Sequence, residues 1–148
     1  MNLALHFHLI AAIAWIGGGF FMFVLGITLR NKIDQEAVYP RIGPIYGYYE
    51  TGALLILLIS GTTMIYHNGL LSILFSNISN EVIDALRTKL YVVGVIVCLT
   101  IVHMTVSMMT VHKVKTPLQR LLSKGSSMGI FVLNLVVLHY AMVLRDIL

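Results

Sequence analysis

The sequence predicts an all-α integral membrane protein, a four-helix bundle with short loops and with both termini on the outer, periplasmic side. Of its 148 residues, 58% are hydrophobic and 11% are charged, and the mean hydropathy is +0.90. A soluble domain carries about 25% charged residues. A bilayer-crossing helix takes about 20 apolar residues, and the chain offers several such stretches. We expect one domain over residues 1–148, with spans at about 3–29, 43–66, 88–111 and 118–144.

The first span runs from Leu3 to Leu29 without a formal charge. At about 1.5 Å per residue it reaches roughly 40 Å, enough to cross a bilayer with some tilt. Because polar groups are costly at membrane depth, His8 is expected to face protein, cofactor or water rather than lipid. Helical spacing places small residues and an aromatic ring on the same face as this histidine, which comprises His8, Ala11, Ala12, Trp15, Gly18, Gly19 and Met22.

Prolines mark the entry to the second span. We expect a loop from Arg30 to Arg41, with Pro40 and Pro44 at the start of the helix that follows. Glu50 is the only formal charge inside this span. It could contact a proton carrier or a quinone, but we favour an ion pair with Arg41 or a position at the cytoplasmic face.

Capping residues define the starts of the last two spans. After an apolar segment at residues 70–79, which is too short to cross, Asn80 is expected to cap a helix that continues into the third span. Thr116 and Pro117 are typical of a cap followed by a first-turn proline, and the fourth span ends before Arg145. The inward face of the third span is marked by a polar stripe that consists of Lys89, Thr100, His103, Ser107 and Thr110.

Basic residues are distributed unequally between the two sides of the membrane. The first and third loops hold seven of them: Arg30, Lys32, Arg41, Lys113, Lys115, Arg120 and Lys124. The other side holds three: Arg87, Lys89 and Arg145. The positive-inside rule places the first and third loops in the cytoplasm and both termini outside. The net charge of +4 therefore indicates topology rather than nucleic-acid binding, and we expect a multi-pass protein of the bacterial inner membrane.

Depth along the spans decides which histidines can meet. His8 and His139 each lie five residues inside the outer end of their span, roughly 8 Å deep at 1.5 Å per residue. His67 lies at the outer edge of the second span, and Arg87 and Lys89 lie at the same level. An outer cluster of His8, His139 and His67 is therefore possible.

Two imidazoles from facing helices are a usual way to hold haem b in a bundle, and basic groups at the edge can pair with its propionates. We predict haem b bound through His8 and His139, with a deeper arrangement through His103 as an alternative. The predicted cofactor contacts are His8, His139, His103, Trp15, Arg87 and Lys89, and His67 is a further candidate metal ligand.

Plainer interpretations of the same residues remain open. Each histidine could make only a helix–helix hydrogen bond or lie in water at the membrane edge. Methionines usually serve packing, but thioethers also bind Cu(I). The third span offers a loose ladder of such ligands, which consists of His103, Met104, Met108 and His112.

The opening of the chain resembles that of the copper-resistance protein D family, in His8-Leu9-Ile10 and in Trp15-Ile16-Gly17-Gly18. Arg41 before an apolar span with a late Ser60-Gly61 resembles the next span of that family. The Lys89-Leu90 entry to the third span and the basic loop before the fourth also fit. The resemblance covers most of the chain and implies a membrane protein that handles copper.

The same opening also resembles the small haem-binding membrane protoporphyrinogen oxidases. These share a His followed, after six residues, by a Trp, here His8 and Trp15. They also have a Lys-Leu entry followed by a His in the third span, here Lys89, Leu90 and His103, with an interval about one turn longer in this chain. The fourth span lacks their Asn-Glu and Pro pattern, so the resemblance implies haem binding rather than their specific oxidase activity.

Three functions follow from these patterns. We favour a haem b-binding inner-membrane redox protein that transfers electrons, with quinol or a porphyrinogen as its redox partner; oxidation of a porphyrinogen would make it an oxidoreductase. The alternatives are a copper transport or resistance protein and a structural subunit of a larger membrane complex. The expected partners are the lipid bilayer, a quinone, and other protein chains in a homo-oligomer or a larger complex; nucleic acid is not expected.

Overall fold

A computed structural model describes residues 2–110, 113–114 and 116–147 of the chain. The described residues form five helices: α1 Asn2–Thr28, α2 Lys32–His67, α3 Leu70–Leu74, α4 Glu81–Met109 and α5 Pro117–Ile147. They contain no strand. Four of the helices, α1, α2, α4 and α5, are long and apolar enough to cross a membrane. The all-α class and the four long apolar helices are therefore confirmed.

The chain divides into two compact units, residues 1–72 and 73–148. In the first unit, α1 and α2 pack as an antiparallel hairpin, and in the second α4 packs on α5 in the same manner. The single four-helix domain stays a prediction.

The turn between α1 and α2 is much shorter than predicted. The expected loop from Arg30 to Arg41 is wrong, because α2 begins at Lys32 and contains Pro40 and Pro44. Each of these prolines removes one backbone hydrogen bond of the helix but leaves the neighbouring turns paired. The helix therefore continues through both of them.

Local hydrogen bonds fix this early start of α2. The Asn31 side chain accepts a hydrogen bond from the backbone N–H of Ile33 (3.1 Å), as an N-cap residue does. One turn later, the Gln35 amide donates to the carbonyl of Leu29 (2.6 Å), the residue that follows α1. These two contacts join the helix ends across a connection of three residues, 29–31.

The face predicted for α1 is confirmed. Ala11 and Trp15 are buried, and the other members of that face, from His8 to Met22, are partly buried. The α2 residues buried in this unit recur at intervals of three and seven, which also places them on one helix face; they are Glu50, Ala53 and Ser60. The two faces meet along the length of the hairpin.

The second hairpin begins and turns where the sequence indicates. Asn80 caps α4, accepting a hydrogen bond from the backbone N–H of Ile83 (2.8 Å). At the start of α5, the Thr116 hydroxyl accepts from the N–H of Gln119, whose side chain accepts from the N–H of Thr116. This reciprocal pair is a capping box, and Pro117 follows as the first helical residue.

The polar stripe of α4 lies on the inward face, as predicted. Thr100 and Thr110 are buried, and Lys89, His103 and Ser107 are partly buried. The α5 residues buried in this unit follow helical spacing: Ser126, Ile130, Asn134 and Leu144. Small hydroxyl and amide side chains therefore lie between the two helices.

Large apolar side chains cover the outside of the long helices. Ile13 is 73% exposed, Ile59 66% and Ile101 61%. Soluble monomers rarely expose contiguous apolar surface of this extent.

Candidate functional site

A hydrogen bond between His8 and Ser60 joins α1 to α2. Nδ1 of His8 lies 2.9 Å from Oγ of Ser60. Ser60 is buried and His8 is partly buried, near the end of the hairpin that is remote from its connecting turn. The contact is possible because α1 and α2 are antiparallel, which places the first turns of α1 beside the last turns of α2.

The tautomer of His8 follows from the other partners of Ser60. The Ser60 hydroxyl lies 2.5 Å from the carbonyl oxygen of Ile56 and 3.3 Å from that of Leu57. A carbonyl only accepts, so the single hydroxyl proton points toward these oxygens. Oγ of Ser60 therefore accepts from Nδ1–H of His8. This assignment leaves Nε2 of His8 as the nitrogen that carries the lone pair.

The surroundings of His8 are small and apolar. A Cβ on Gly61 would lie 3.3 Å from Cε1 of His8, so the glycine leaves room for the imidazole. Beside Ser60, an open groove of about 390 Å³ lies between the first turns of α1 and the last turns of α2. Its lining is apolar apart from the hydroxyls of Ser60 and Thr63.

The second hairpin contains a pair of the same kind. Nδ1 of His103 on α4 lies 3.2 Å from Oγ of Ser126 on α5. Ser126 is buried, and its hydroxyl lies 2.6 Å from the carbonyl oxygen of Leu122 and 3.2 Å from that of Ser123. By the same argument, the serine donates to its own helix and accepts from Nδ1–H of His103. Both histidines therefore donate Nδ1–H to a serine hydroxyl, which leaves the lone pair on Nε2 when the ring is neutral.

The two pairs occupy different positions in their hairpins. His8 and Ser60 lie at the open end of the first hairpin, whereas His103 and Ser126 lie toward the connection between α4 and α5. Both contacts are helix–helix hydrogen bonds, so that plainer interpretation is confirmed for Nδ1 of each ring. A bond at Nδ1 is also the usual support of a histidine that binds metal through Nε2.

Trp15 lies deeper in the first hairpin and is 5% exposed. Near it, the Tyr49 hydroxyl donates to the carbonyl of Ala14 (3.0 Å). A Cβ on Gly18 would lie 3.1 Å from ring atoms of both Tyr46 and Tyr49. These aromatic rings pack directly on the α1 backbone, because the glycine has no side chain to displace them.

The other two candidate histidines, His67 and His139, form no assigned contact with Ser60 or Ser126. His67 is exposed in the last turn of α2, seven residues beyond Ser60, which is roughly 10 Å along the helix. His139 is exposed on α5, where its ring lies edge-on to that of Tyr140, with ring centroids 5.7 Å apart. The predicted outer cluster of His8, His139 and His67 stays a prediction.

Arg87 contacts the loop that precedes its own helix. Its guanidinium donates to the carbonyls of Leu74 (3.2 Å), Ile73 (3.4 Å) and Ser76 (2.5 Å). It also forms an ion pair with Asp84 at 3.4 Å. Arg87 thus connects α4 to the last residues of α3 and to the loop that follows them. A contact with a haem propionate would have to coexist with these bonds or replace them.

Lys89 lies two residues further along α4 and is partly buried. Within the part of the chain that the structure describes, no ion pair or hydrogen bond is assigned to its ammonium group. Its predicted role beside a propionate stays a prediction.

The ion pair with Arg41 that was favoured for Glu50 is wrong, whereas its position relative to the cytoplasmic face stays a prediction. The residue is 8% exposed in the middle of α2, and no described residue forms an ion pair with it. Arg41 is exposed and lies nine residues away, about 13 Å along the helix. Glu50 cannot reach it, because the helix runs unbroken between the two residues.

The sequence did not single out Ser126 as a site residue, and Ser60 stood out only through the resemblance of its span to that of a known family. Each serine has a glycine neighbour inside an apolar span, in Ser60-Gly61 and in Gly125-Ser126. Small polar residues next to glycine favour close helix approach. That signal identifies both serines, although it does not identify their histidine partners.

The described residues contain no group of three or more His, Cys, Asp or Glu side chains placed to hold a metal ion. His112, the last member of the proposed copper ladder, lies outside the described residues. No protein-family model, curated protein or solved structure matches the sequence.

Proposed function

We propose that the chain is a multi-pass redox protein of the bacterial inner membrane that holds haem b through His8. The observation that carries this proposal is the pairing of His8 with Ser60, at 2.9 Å. A histidine that donates Nδ1–H to an oxygen has a fixed ring orientation and a more basic Nε2, which are the properties of a good axial ligand. His103 has the same support from Ser126, toward the connected end of its own hairpin, and is a separate candidate ligand.

Membrane placement is supported by the exposed apolar surface of α1, α2, α4 and α5. In lipid this surface needs no protein cover, and each helix satisfies its backbone groups internally. The excess of Lys and Arg in the first and third connections favours cytoplasmic locations for these and outer locations for both termini.

The residues around His8 fit a haem group. Imidazole nitrogen is a usual haem ligand in helix bundles, and Gly61 leaves room for the His8 ring itself. The groove beside Ser60, whose lining does not include His8, is apolar, as a surface that contacts a porphyrin edge would be. Arg87 and Lys89 remain the candidates for contacts with propionates.

In this proposal the haem supplies one-electron chemistry when bound, and the chain sets its environment. Ser60 holds the His8 ring and keeps the proton on Nδ1. The apolar side chains of both helices lower the local dielectric and exclude water. Quinol or a porphyrinogen is the proposed electron donor, and lipid, quinone and further protein chains are the proposed partners.

The first experiment is a dithionite-reduced minus oxidised absorbance spectrum of the detergent-purified protein, with iron and copper analysis of the same sample. Sharp α and Soret bands at about one haem per chain are expected for a b-type site. His8→Ala should lose these bands, whereas His6→Ala, which changes an exposed residue of the same helix, should retain them. Full haem occupancy in His8→Ala would refute the ligand assignment.

Copper handling is the second candidate function, because Nε2 of a supported histidine also binds copper. Met64 lies one turn beyond Ser60 on the partly buried side of α2 and supplies a thioether near this end of the hairpin. Copper at a stoichiometric level in a sample without haem bands would favour this function. A sample with neither metal would favour the structural subunit.

A further inference from the structure

Glu50 is a carboxyl group in the interior of the first hairpin that the proposed haem site does not use. It lies about 25 Å from either end of α2 at 1.5 Å per residue, and it is 8% exposed. Buried acidic residues are rare unless they are paired, so a role for this one is expected.

The helix that packs against α2 offers Glu50 no counter-charge. From Asn2 to Thr28, α1 contains no Asp, Glu, Lys or Arg, and its titratable side chains are His6 and His8. His8 is bonded to Ser60, ten residues from Glu50 along α2, and His6 is exposed. No charged side chain of α1 can therefore compensate a carboxylate at this position.

The neighbours of Glu50 on α2 are aromatic. Tyr46 precedes it by one turn on the same face, and the rings of Tyr46 and Tyr49 are 6.3 Å apart. The bond from the Tyr49 hydroxyl to Ala14 places this part of α2 beside Ala14 and Trp15. The remaining charged residues of α2 from Lys32 to Arg41 lie at least nine residues away. Within the described residues, no hydrogen bond or ion pair to the Glu50 carboxyl is assigned.

Burial of an ionised carboxylate without a partner is strongly unfavourable, whereas the neutral acid is tolerated. Ionisable side chains inside membrane helices commonly mark proton pathways. We propose that Glu50 is a proton-binding site in the interior of the α1–α2 hairpin, which takes up and releases a proton during function. The inference rests on the membrane placement proposed above but not on haem. A protein without haem bands would therefore leave it standing, and a negative result for Glu50 would leave the haem site standing.

The first test is labelling of the detergent-purified protein with dicyclohexylcarbodiimide. The O–H of a protonated carboxyl adds across a C=N bond of this apolar reagent, and the adduct rearranges to a stable N-acylurea that keeps the mass of both partners. Peptide mass mapping should find this adduct on Glu50 at neutral pH, with labelling that declines as pH rises. Glu36 and Glu81, which are exposed, are the internal controls and should remain unlabelled.

The second test is the pH dependence of stability, which does not require reagent access. A rising pH drives ionisation of Glu50 and forces a charge into the hairpin, so the unfolding midpoint of the wild type should fall as pH rises. Glu50→Gln keeps the shape of the neutral acid and should remove that part of the decline, whereas Glu36→Gln should not. Labelling of Glu50 together with diverging curves supports the proposal. Parallel pH–stability curves for the wild type and Glu50→Gln would overturn it, whatever the labelling shows.

Discussion

Nδ1 of His8 lies 2.9 Å from Oγ of Ser60, and the serine donates its one hydroxyl proton to the carbonyl of Ile56. The helix backbone thereby decides which nitrogen of a histidine on the neighbouring helix carries the proton. His103 and Ser126 repeat this arrangement in the second hairpin. In each hairpin, one serine fixes both the orientation and the tautomer of one imidazole.

Ser60→Ala tests this support directly. The variant removes the acceptor of Nδ1–H but leaves the His8 ring in place, so haem should bind about 10–100-fold more weakly rather than not at all. Thr62→Ala is the matched control, because the Thr62 hydroxyl donates to its own helix at Leu58 and is exposed. Haem affinity is measured by titration of the apoprotein. Equal affinities for Ser60→Ala and the wild type would show that Ser60 has no part in ligation.

Ser126→Ala tests whether Ser126 supports His103 as a haem ligand. If it is, the variant should weaken haem binding by a similar factor of about 10–100. Ser127→Ala, which changes the exposed adjacent residue, should leave haem binding unchanged. Wild-type haem affinity in Ser126→Ala, with a loss in Ser60→Ala, would show that Ser126 has no part in ligation. Unchanged haem affinity in His103→Ala would then remove His103 from the ligand set and leave His139 as the remaining candidate from the second hairpin.

Gly61→Leu tests whether the space beside His8 is needed. A Cβ at Gly61 lies 3.3 Å from Cε1 of His8, so a leucine there must displace the imidazole. Haem binding should fall at least as far as in Ser60→Ala. Gly52→Leu is the control on the same helix, since a Cβ at Gly52 meets nothing within 4 Å. Equal haem affinity in Gly61→Leu and Gly52→Leu would argue against His8 as a haem ligand that packs against Gly61.

Gly18→Ala tests the packing of the first hairpin apart from any cofactor. The new Cβ would lie 3.1 Å from the rings of Tyr46 and Tyr49, so both must shift, at a cost of about 1–3 kcal/mol in the free energy of unfolding. Gly17→Ala meets nothing within 4 Å and should stabilise α1 by up to about 1 kcal/mol through helix propensity. Denaturant unfolding of the two variants measures the difference. A Gly18→Ala protein as stable as Gly17→Ala would contradict this packing.

Features that depend on local sequence were predictable. The Asn80 cap, the Thr116 start of α5 and the inward face of α1 follow from neighbouring residues and helical spacing, and the structure contains all three. The start of α2 was not predictable in the same way. Pro40 and Pro44 usually stand at helix starts, but here the helix begins ahead of them at an Asn31 cap.

Features that depend on the register between helices could not be predicted from the sequence. The histidines could be ranked by depth, yet their serine partners lie 52 and 23 residues away in the chain. Glu50 shows the same limit, since its burial follows from the α2 face that packs on α1. A one-residue rotation of that helix would change its exposure without altering the composition of the span.

Arg87→Lys separates a structural role of this residue from a role at a propionate. Lysine keeps the positive charge but lacks the planar fork that contacts the carbonyls of Ile73, Leu74 and Ser76. A structural role predicts a loss of about 1–2 kcal/mol in the free energy of unfolding, with haem affinity unchanged. A propionate contact predicts that Arg87→Lys retains haem while Arg87→Gln and Lys89→Gln weaken it. Because the guanidinium already bonds to the end of α3 and to the loop before α4, we expect a loss of stability with unchanged haem affinity for Arg87→Lys. A loss of haem in Arg87→Gln without a loss of stability would contradict this expectation.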